Sequence, residues 1–236
     1  MNILVIDIGG TNVKIWRSEQ AEKTKFPSGK DLAPQDLMER VQDALEGWPI
    51  ERVSIGYPGE IRNGLPIADP INLAAGWVGF DFAGALGCPV RLMNDASMQA
   101  LGSYEGGKMF YLGLGTGVGT TFILDGTIVP LALGHLKLWD NETFDYYLSR
   151  EGLKRHGKKR WRQAVSDAAR ILKAAFFADY IVIGGGNADE LKELPPDCRR
   201  GGNHNAYFGG LRMWEDVAEV KTSPLAIVSA IESESA

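Results

Sequence analysis

Twice in this chain an apolar strand runs into a glycine turn and comes straight back as a second strand. The first instance is Ile3-Leu4-Val5-Ile6, a β-branched run ending at Asp7-Ile8-Gly9-Gly10-Thr11. Beyond it Val13 and Ile15 alternate with Asn12, Lys14 and Trp16, a period of two that specifies strand and not helix. The second instance is Phe110 to Leu114, the loop Gly115-Thr116-Gly117-Val118-Gly119, and the return Thr120 to Leu124. Dinucleotide folds and P-loops both place a helix after the glycine loop, so a returning strand argues against each. Gly102 to Lys108 does have P-loop spacing, but Met109 stands where a magnesium-binding hydroxyl belongs and a helical pattern precedes it, which marks a chance match. The repetition predicts a duplicated α/β architecture, with its boundary near Gly102 to Lys108 where small and polar residues cluster.

Between the two hairpins, Leu32, Leu37, Val41, Ala44 and Leu45 recur at helical spacing over Asp31 to Trp48, and Gly47 and Pro49 end the pattern. Val53 to Tyr57 reads as a strand, Asn63-Gly64 as a hairpin turn, and Val90 to Met93 as a strand leading through Asn94-Asp95 into a helix from Ala96 to Leu101. A long helix is expected over Trp161 to Ala178, then the strand Tyr180 to Ile183 and the loop Gly184-Gly185-Gly186-Asn187, where Asn187 and Glu190 have capping-box spacing for a following helix. Pro224 to Ala236 reads as a short apolar helix with an acidic tip.

At 236 residues and 44% hydrophobic content, the chain can form one large core or two small ones. A net charge of -5 argues against general nucleic-acid binding. Cys88 and Cys198 are too few for a disulfide framework or a cysteine-rich zinc site, which points to a reducing, cytoplasmic setting. Met1-Asn2 leads directly into an apolar strand, so neither a leader nor a membrane span is expected.

Glycine turns let backbone amides approach phosphate oxygens, and two such turns facing each other across a cleft would hold a polyphosphate from both sides. In that arrangement Asp7 supplies a carboxylate for magnesium, directly or through water, and Thr11 and Thr116 supply hydroxyl donors. Asp95, at the carboxyl end of a strand, is the candidate general base for transfer to a hydroxyl; its bland alternative is an N-cap. Gly184-Gly185-Gly186 offers a flat surface for a base or ribose, or merely starts a helix, and His135 either meets a substrate hydroxyl or rests in a loop. Lys154 to Arg162 is a dense basic run, read first as a solvated face and second as a polyanion groove. The six tryptophans can stack on sugars but more often fill cores.

Taken together these residues resemble the ROK sugar kinases, most closely the polyphosphate/ATP glucokinase branch. Asp7 to Thr11 is similar to the first phosphate motif of that family, Leu114 to Gly119 to the second, Asn94-Asp95-Ala96 to the catalytic motif and Ile183 to Gly186 to the nucleotide-side loop. Gly56 to Gly59, Asn72 with Trp77, Leu133-Gly134-His135 and Asn203 to Gly210 are similar to further landmarks. The resemblance implies duplicated ribonuclease H-like domains of the actin/hexokinase type, here 1–104 and 105–236, with an interdomain cleft. It implies a phosphotransferase moving a phosphoryl group from ATP or polyphosphate to a sugar, with magnesium; the Cys-rich zinc motif of many members of the family is missing from this sequence, so no structural zinc is expected. Donor contacts are expected at Asp7, Gly9, Gly10, Thr11, Lys14, Gly115, Thr116, Gly117, Gly184, Gly185 and Gly186; acceptor contacts at Asn72, Asn94, Asp95 and His135. A homodimer without nucleic-acid or membrane partners is expected.

Three departures from the family pattern stand out. Ala132 replaces a sugar-binding Glu, Ala74 and Ala75 stand where the glucokinase branch tends to have Asp and Lys, and the chain is short between Lys137 and Trp161. A non-catalytic sugar- or nucleotide-binding relative and an actin-like ATPase are the alternatives.

Overall fold

The computed structural model describes residues 1–18, 23–202 and 204–215. Two five-stranded mixed sheets organise an α/β fold. The first contains β1 (Ile3–Ile8), β2 (Asn12–Arg17) and β3 (Thr24–Pro27); after α1 (Pro34–Leu45) the chain returns as β4 (Arg52–Tyr57). A small hairpin of β5 (Ile61–Arg62) and β6 (Leu65–Pro66), then α2 (Phe82–Leu86), precede β7 (Val90–Asn94) and α3 (Asp95–Ser103). The second sheet begins with β8 (Lys108–Leu114), β9 (Val118–Leu124) and β10 (Thr127–Leu131), followed by α4 (Phe144–Leu148) and α5 (Arg150–Ala175). It is completed by β11 (Tyr180–Gly184) and β12 (Cys198–Arg200), and α6 (Asn205–Arg212) follows.

The strand orders are β3-β2-β1-β4-β7 and β10-β9-β8-β11-β12. In each sheet the first three strands are antiparallel, β1-β2-β3 and β8-β9-β10, and the last two join in parallel, with Asp7 opposite Lys14 and Gly113 opposite Gly119. Alternation along β1 explains the layers. Leu4, Ile6 and Ile8 face a core with α1, while Ile3 and Val5 face a second core shared with α3 and α6. In β8, Phe110, Leu112 and Leu114 face α5, and Met109 and Tyr111 face α3. The shared core therefore joins the two sheets, and burying each large aliphatic side chain in it contributes about 1.5–3 kcal/mol. Of the six tryptophans, Trp16, Trp77 and Trp161 are fully buried core residues.

Local chemistry sets the ends of the elements. Pro34 occupies the first turn of α1, the Asp36 carboxylate accepts from Ala33 N, and Glu46 and Gly47 stop the helix in left-handed conformations. The expected Asp31 to Trp48 helix is shorter for that reason. Asn63 and Gly64 take the positive φ angles of a tight hairpin turn between β5 and β6. The later helix is longer than the expected Trp161 to Ala178: α5 starts at Arg150, capped by Ser149, and bends at Gly157 (φ 72°, ψ 163°). Gly157 breaks the hydrophobic period that made only the second half readable. Asn187 leads only into the short 3₁₀ turn Ala188–Glu190 and makes no side-chain cap bond there, correcting the capping-box expectation. Asn187 instead donates to Gly115 O, and Glu190 pairs with Lys158. Gly102 to Lys108 has a helix before it and a strand after it, the reverse of a P-loop. The expected helix at 224–236 lies outside the described residues.

Candidate active site at the two glycine turns

The first turn joins β1 to β2 and the second joins β8 to β9. Each closes on itself: Gly9 N donates to Asn12 O at 3.0 Å, and Gly115 N donates to Gly117 O at 3.1 Å. Among the described residues, the N–H groups of Gly10, Thr11, Thr116 and Gly117 have no intramolecular acceptor. Gly10 is half-buried and Thr11, Thr116 and Gly117 are exposed, so these amides are open to solvent and accessible to an anion at the turns. The turns meet directly. Thr11 Oγ1 lies 3.4 Å from Thr116 Oγ1, although 105 residues separate them. A Cβ on Gly10 would make only ordinary contacts, 3.4 Å from Thr116 Oγ1 and 3.8 Å from Asn72 Nδ2, which places Asn72 beside the same junction.

Asp7, at the end of β1, is 1% exposed. Its Oδ2 accepts from Lys14 Nζ at 2.9 Å, the pairing that the β1–β2 register dictates, while Oδ1 is buried without a partner. Asp95 opens α3, but Asn94 is the cap: its Oδ1 accepts from Ser97 N and its Nδ2 donates to Gly59 O. Asn94 thus anchors the helix to the loop after β4. Asp95 keeps one carboxylate oxygen on its own Ala96 N at 2.8 Å. Burial, then the nearby Asp7 charge, push its carboxyl up to about 7, against the opposing pull of the Ala96 N–H and Lys14. A carboxyl titrating there is suited to take a proton near neutral pH. The start of α3 also packs on the second turn, since a Cβ on Gly119 would lie 2.8 Å from Ala96 Cβ.

The triple-glycine loop braces the second turn. Gly185 has φ 82° and leaves no room for a Cβ above Leu114 O, Asn187 N donates to Leu114 O at 2.9 Å, and a Cβ on Gly184 would overlap the Tyr111 hydroxyl. Gly186 is open and exposed. His135 is exposed in a 3₁₀ turn, and Asn72 is exposed in the loop before Trp77. Asp69 holds that loop through the Trp77 and Val78 amides, which, with the Trp77 bond foremost, keep its carboxyl below the usual range.

Two residues escaped sequence reading. Asp145 accepts from Val118 N at 2.7 Å and lies against Gly117 and Gly134, so it joins the second turn to the His135 segment. Arg150 N donates to Gly115 O at 2.9 Å, and its guanidinium donates to Thr11 Oγ1 at 3.1 Å. Neither stands beside a glycine motif; the one available signal is that both flank Ser149, a helix N-cap.

Two mixed sheets, each opened by a hairpin with a glycine turn, define the class of fold, and the chain belongs to the ROK family, whose model matches residues 3–137. A curated relative, polyphosphate glucokinase of Mycobacterium tuberculosis, is 22% identical over 212 residues, covering 81% of this chain and 80% of its own. Among solved structures, the inorganic polyphosphate/ATP-glucomannokinase of Arthrobacter sp. strain KM is 25% identical with a TM-score of 0.74, covering 88% of this chain and 96% of that one. A ROK family glucokinase from Streptomyces griseus, in complex with glucose and AMPPNP, shares the fold at 16% identity and TM-score 0.68, over 90% and 99% of the two chains.

Proposed function

We propose that the chain transfers a phosphoryl group from ATP or inorganic polyphosphate to a sugar hydroxyl, as a glucokinase-like carbohydrate kinase. The observation that carries the reading is the meeting of the two turns, Thr11 to Thr116 at 3.4 Å, with free amides on both sides and the start of α3 packed on the second turn through Ala96. The relatives' names, a polyphosphate glucokinase and a polyphosphate/ATP-glucomannokinase, support the donor pair and the hexose acceptor. The matching strand orders support duplicated ribonuclease H-like domains, 1–104 and 105–236, flanking a cleft, with α6 returning to pack on β1. The reading includes a cytoplasmic homodimer with Cys88 and Cys198 as free thiols; no helix among the described residues is long and apolar enough to cross a membrane.

In this mechanism the amides of Gly10, Thr11, Thr116 and Gly117 hold donor oxygens, and Asn72 and His135 face the sugar. Asp95 accepts the proton of the attacking hydroxyl as its oxygen bonds to phosphorus and the bond to the leaving phosphate breaks. Magnesium fits Asp7, whose buried Oδ1 has no other partner, because this ion takes hard oxygen ligands from one or two carboxylates plus phosphates and water. When bound, it neutralises charge on the donor phosphates. Lys14 fixes the Asp7 carboxylate in orientation. Gly185 and Gly186 offer the surface for a nucleotide when ATP is the donor.

A second reading, a binding protein without turnover, draws on Ala132, an exposed methyl where a sugar-binding acid is expected. A coupled assay with magnesium, crossing ATP and polyphosphate against glucose, mannose, glucosamine, N-acetylated sugars, fructose and polyols, separates the two. Acceptor-dependent transfer is the expected result. Donor binding without transfer to any acceptor would favour the binding protein, and hydrolysis without an acceptor would favour an ATPase.

A further inference from the structure

The basic run in α5 is mostly spoken for. Lys154 pairs with Glu151, Lys158 with Glu190 and Arg160 with Asp140. Arg155 lies over the Tyr146 ring and donates to Tyr146 O, and Arg162 donates to Glu190 O. These local partners account for a charged face, and exposed pairs of this kind contribute little each. Arg150, four residues before Lys154, differs: among the described residues it forms no ion pair, and it points at the turns.

Resting on the phosphoryl-transfer reading, we propose that Arg150 is a donor-binding residue, whose guanidinium grips the phosphate held between the two turns. Position supports this first. Ser149 is buried and caps α5 through Gly152 N, which fixes where the helix begins. The first helical residue then donates its backbone N–H to Gly115 O and its side chain to Thr11 Oγ1, so one residue touches both turns across 139 positions of sequence.

Charge supports it next. Of the two cations on β2, Lys14 is committed to Asp7 and Arg17 donates to Ala44 O. A phosphoryl group passing between the turns spreads negative charge over its oxygens, and that charge needs a cation not already neutralised by a carboxylate. A guanidinium has five donors in a planar fork, and Thr11 takes one. The remainder suit two oxygens of one phosphate. In the transfer, Arg150 keeps its protons and bonds to non-bridging oxygens, while Asp95 takes the only proton that moves.

Calorimetric titration of tripolyphosphate and of ATP, each with magnesium, into wild type, Arg150→Gln and Arg150→Lys tests this, alongside steady-state transfer. Arg150→Gln is expected to weaken donor binding by about ten- to a hundredfold, the loss of one charged hydrogen-bonding partner, and to raise donor KM similarly. Acceptor KM and the ligand-free melting temperature should hold. Arg150→Lys should recover part of the binding, because it restores the charge without the fork. Unchanged donor affinity and turnover in Arg150→Gln would overturn the proposal, as would wild type that binds neither donor. Wild type that binds tripolyphosphate through Arg150 yet transfers to no acceptor would support the site and overturn the kinase reading.

Discussion

Asp95 carries two opposed demands. As the proposed base it must be ionised, so kcat/KM is expected to rise with pH through about 7, the value to which burial and Asp7 push it. A pH profile flat between 5 and 8 would separate Asp95 from the rate. Asp95→Asn should lower kcat by orders of magnitude at unchanged fold, checked by single-turnover transfer and circular dichroism. Stability should move the other way. The folded carboxyl binds its proton up to about pH 7, while the unfolded one releases it near 4, so the native state loses stability as pH rises between those values and carries the full cost above 7. Asp95→Asn removes that cost. Its melting temperature should exceed wild type at pH 8 and converge with it near pH 4; the opposite order would contradict the assigned cause. Ala132→Glu belongs to the same scale: restoring an acid before the Gly134-His135 pair should lower KM for glucose if the acceptor occupies that side.

At the scale of elements, the site depends on how closely α3 meets α6. A Cβ on Gly102 would overlap Asn205 O, and one on Gly209 would overlap Met98 O, so the two helix backbones touch where both residues lack side chains. Ser54 donates to Gly210 O at 2.6 Å and accepts from Trp214 Nε1 at 2.8 Å, fastening the same junction to β4. Gly209→Ala must push the helices apart, at a cost of about 1–3 kcal/mol or more in urea unfolding. Because α3 carries Asp95, transfer should fall as well; a variant with native stability and activity would show that the backbones can separate without consequence. Gly185→Ala is costly for a different reason, since its φ of 82° and Leu114 O both exclude a methyl.

For the whole molecule, we propose that the direct contact between the turns is the closed arrangement of the proposed cycle and that the halves part to admit substrates. Free protein in solution should therefore give a larger radius of gyration by small-angle scattering than protein with tripolyphosphate, magnesium and glucose together. Identical curves would mean that the two sheets keep one relative position. The shared core of Ile3, Val5, Met109 and Tyr111 with α3 and α6 is where such motion must be absorbed, and Arg212 of α6 ties its edge to Leu101 O and Tyr104 O.

What the sequence by itself determined was everything with a short period. The apolar runs at residues 3–6 and 110–114, each returning across a glycine turn as a second strand at 13–16 and 120–124, are enough for two hairpins, because strand pleat and hydrophobic burial act over neighbouring residues. The Asp7 and Asp95 positions were legible as strand-end carboxylates beside glycine or cap residues. Only the tertiary structure decided which amides remain free, since Gly9 and Gly115 close their own turns while their neighbours do not. It also decided that Asn94, not Asp95, caps α3, and that Asn187 serves Gly115 and not a helix. Asp145 and Arg150 entered the site in the same way. Their partners lie 27 and 139 residues distant, and no local pattern encodes a contact whose partner is chosen by the packing of one sheet on another.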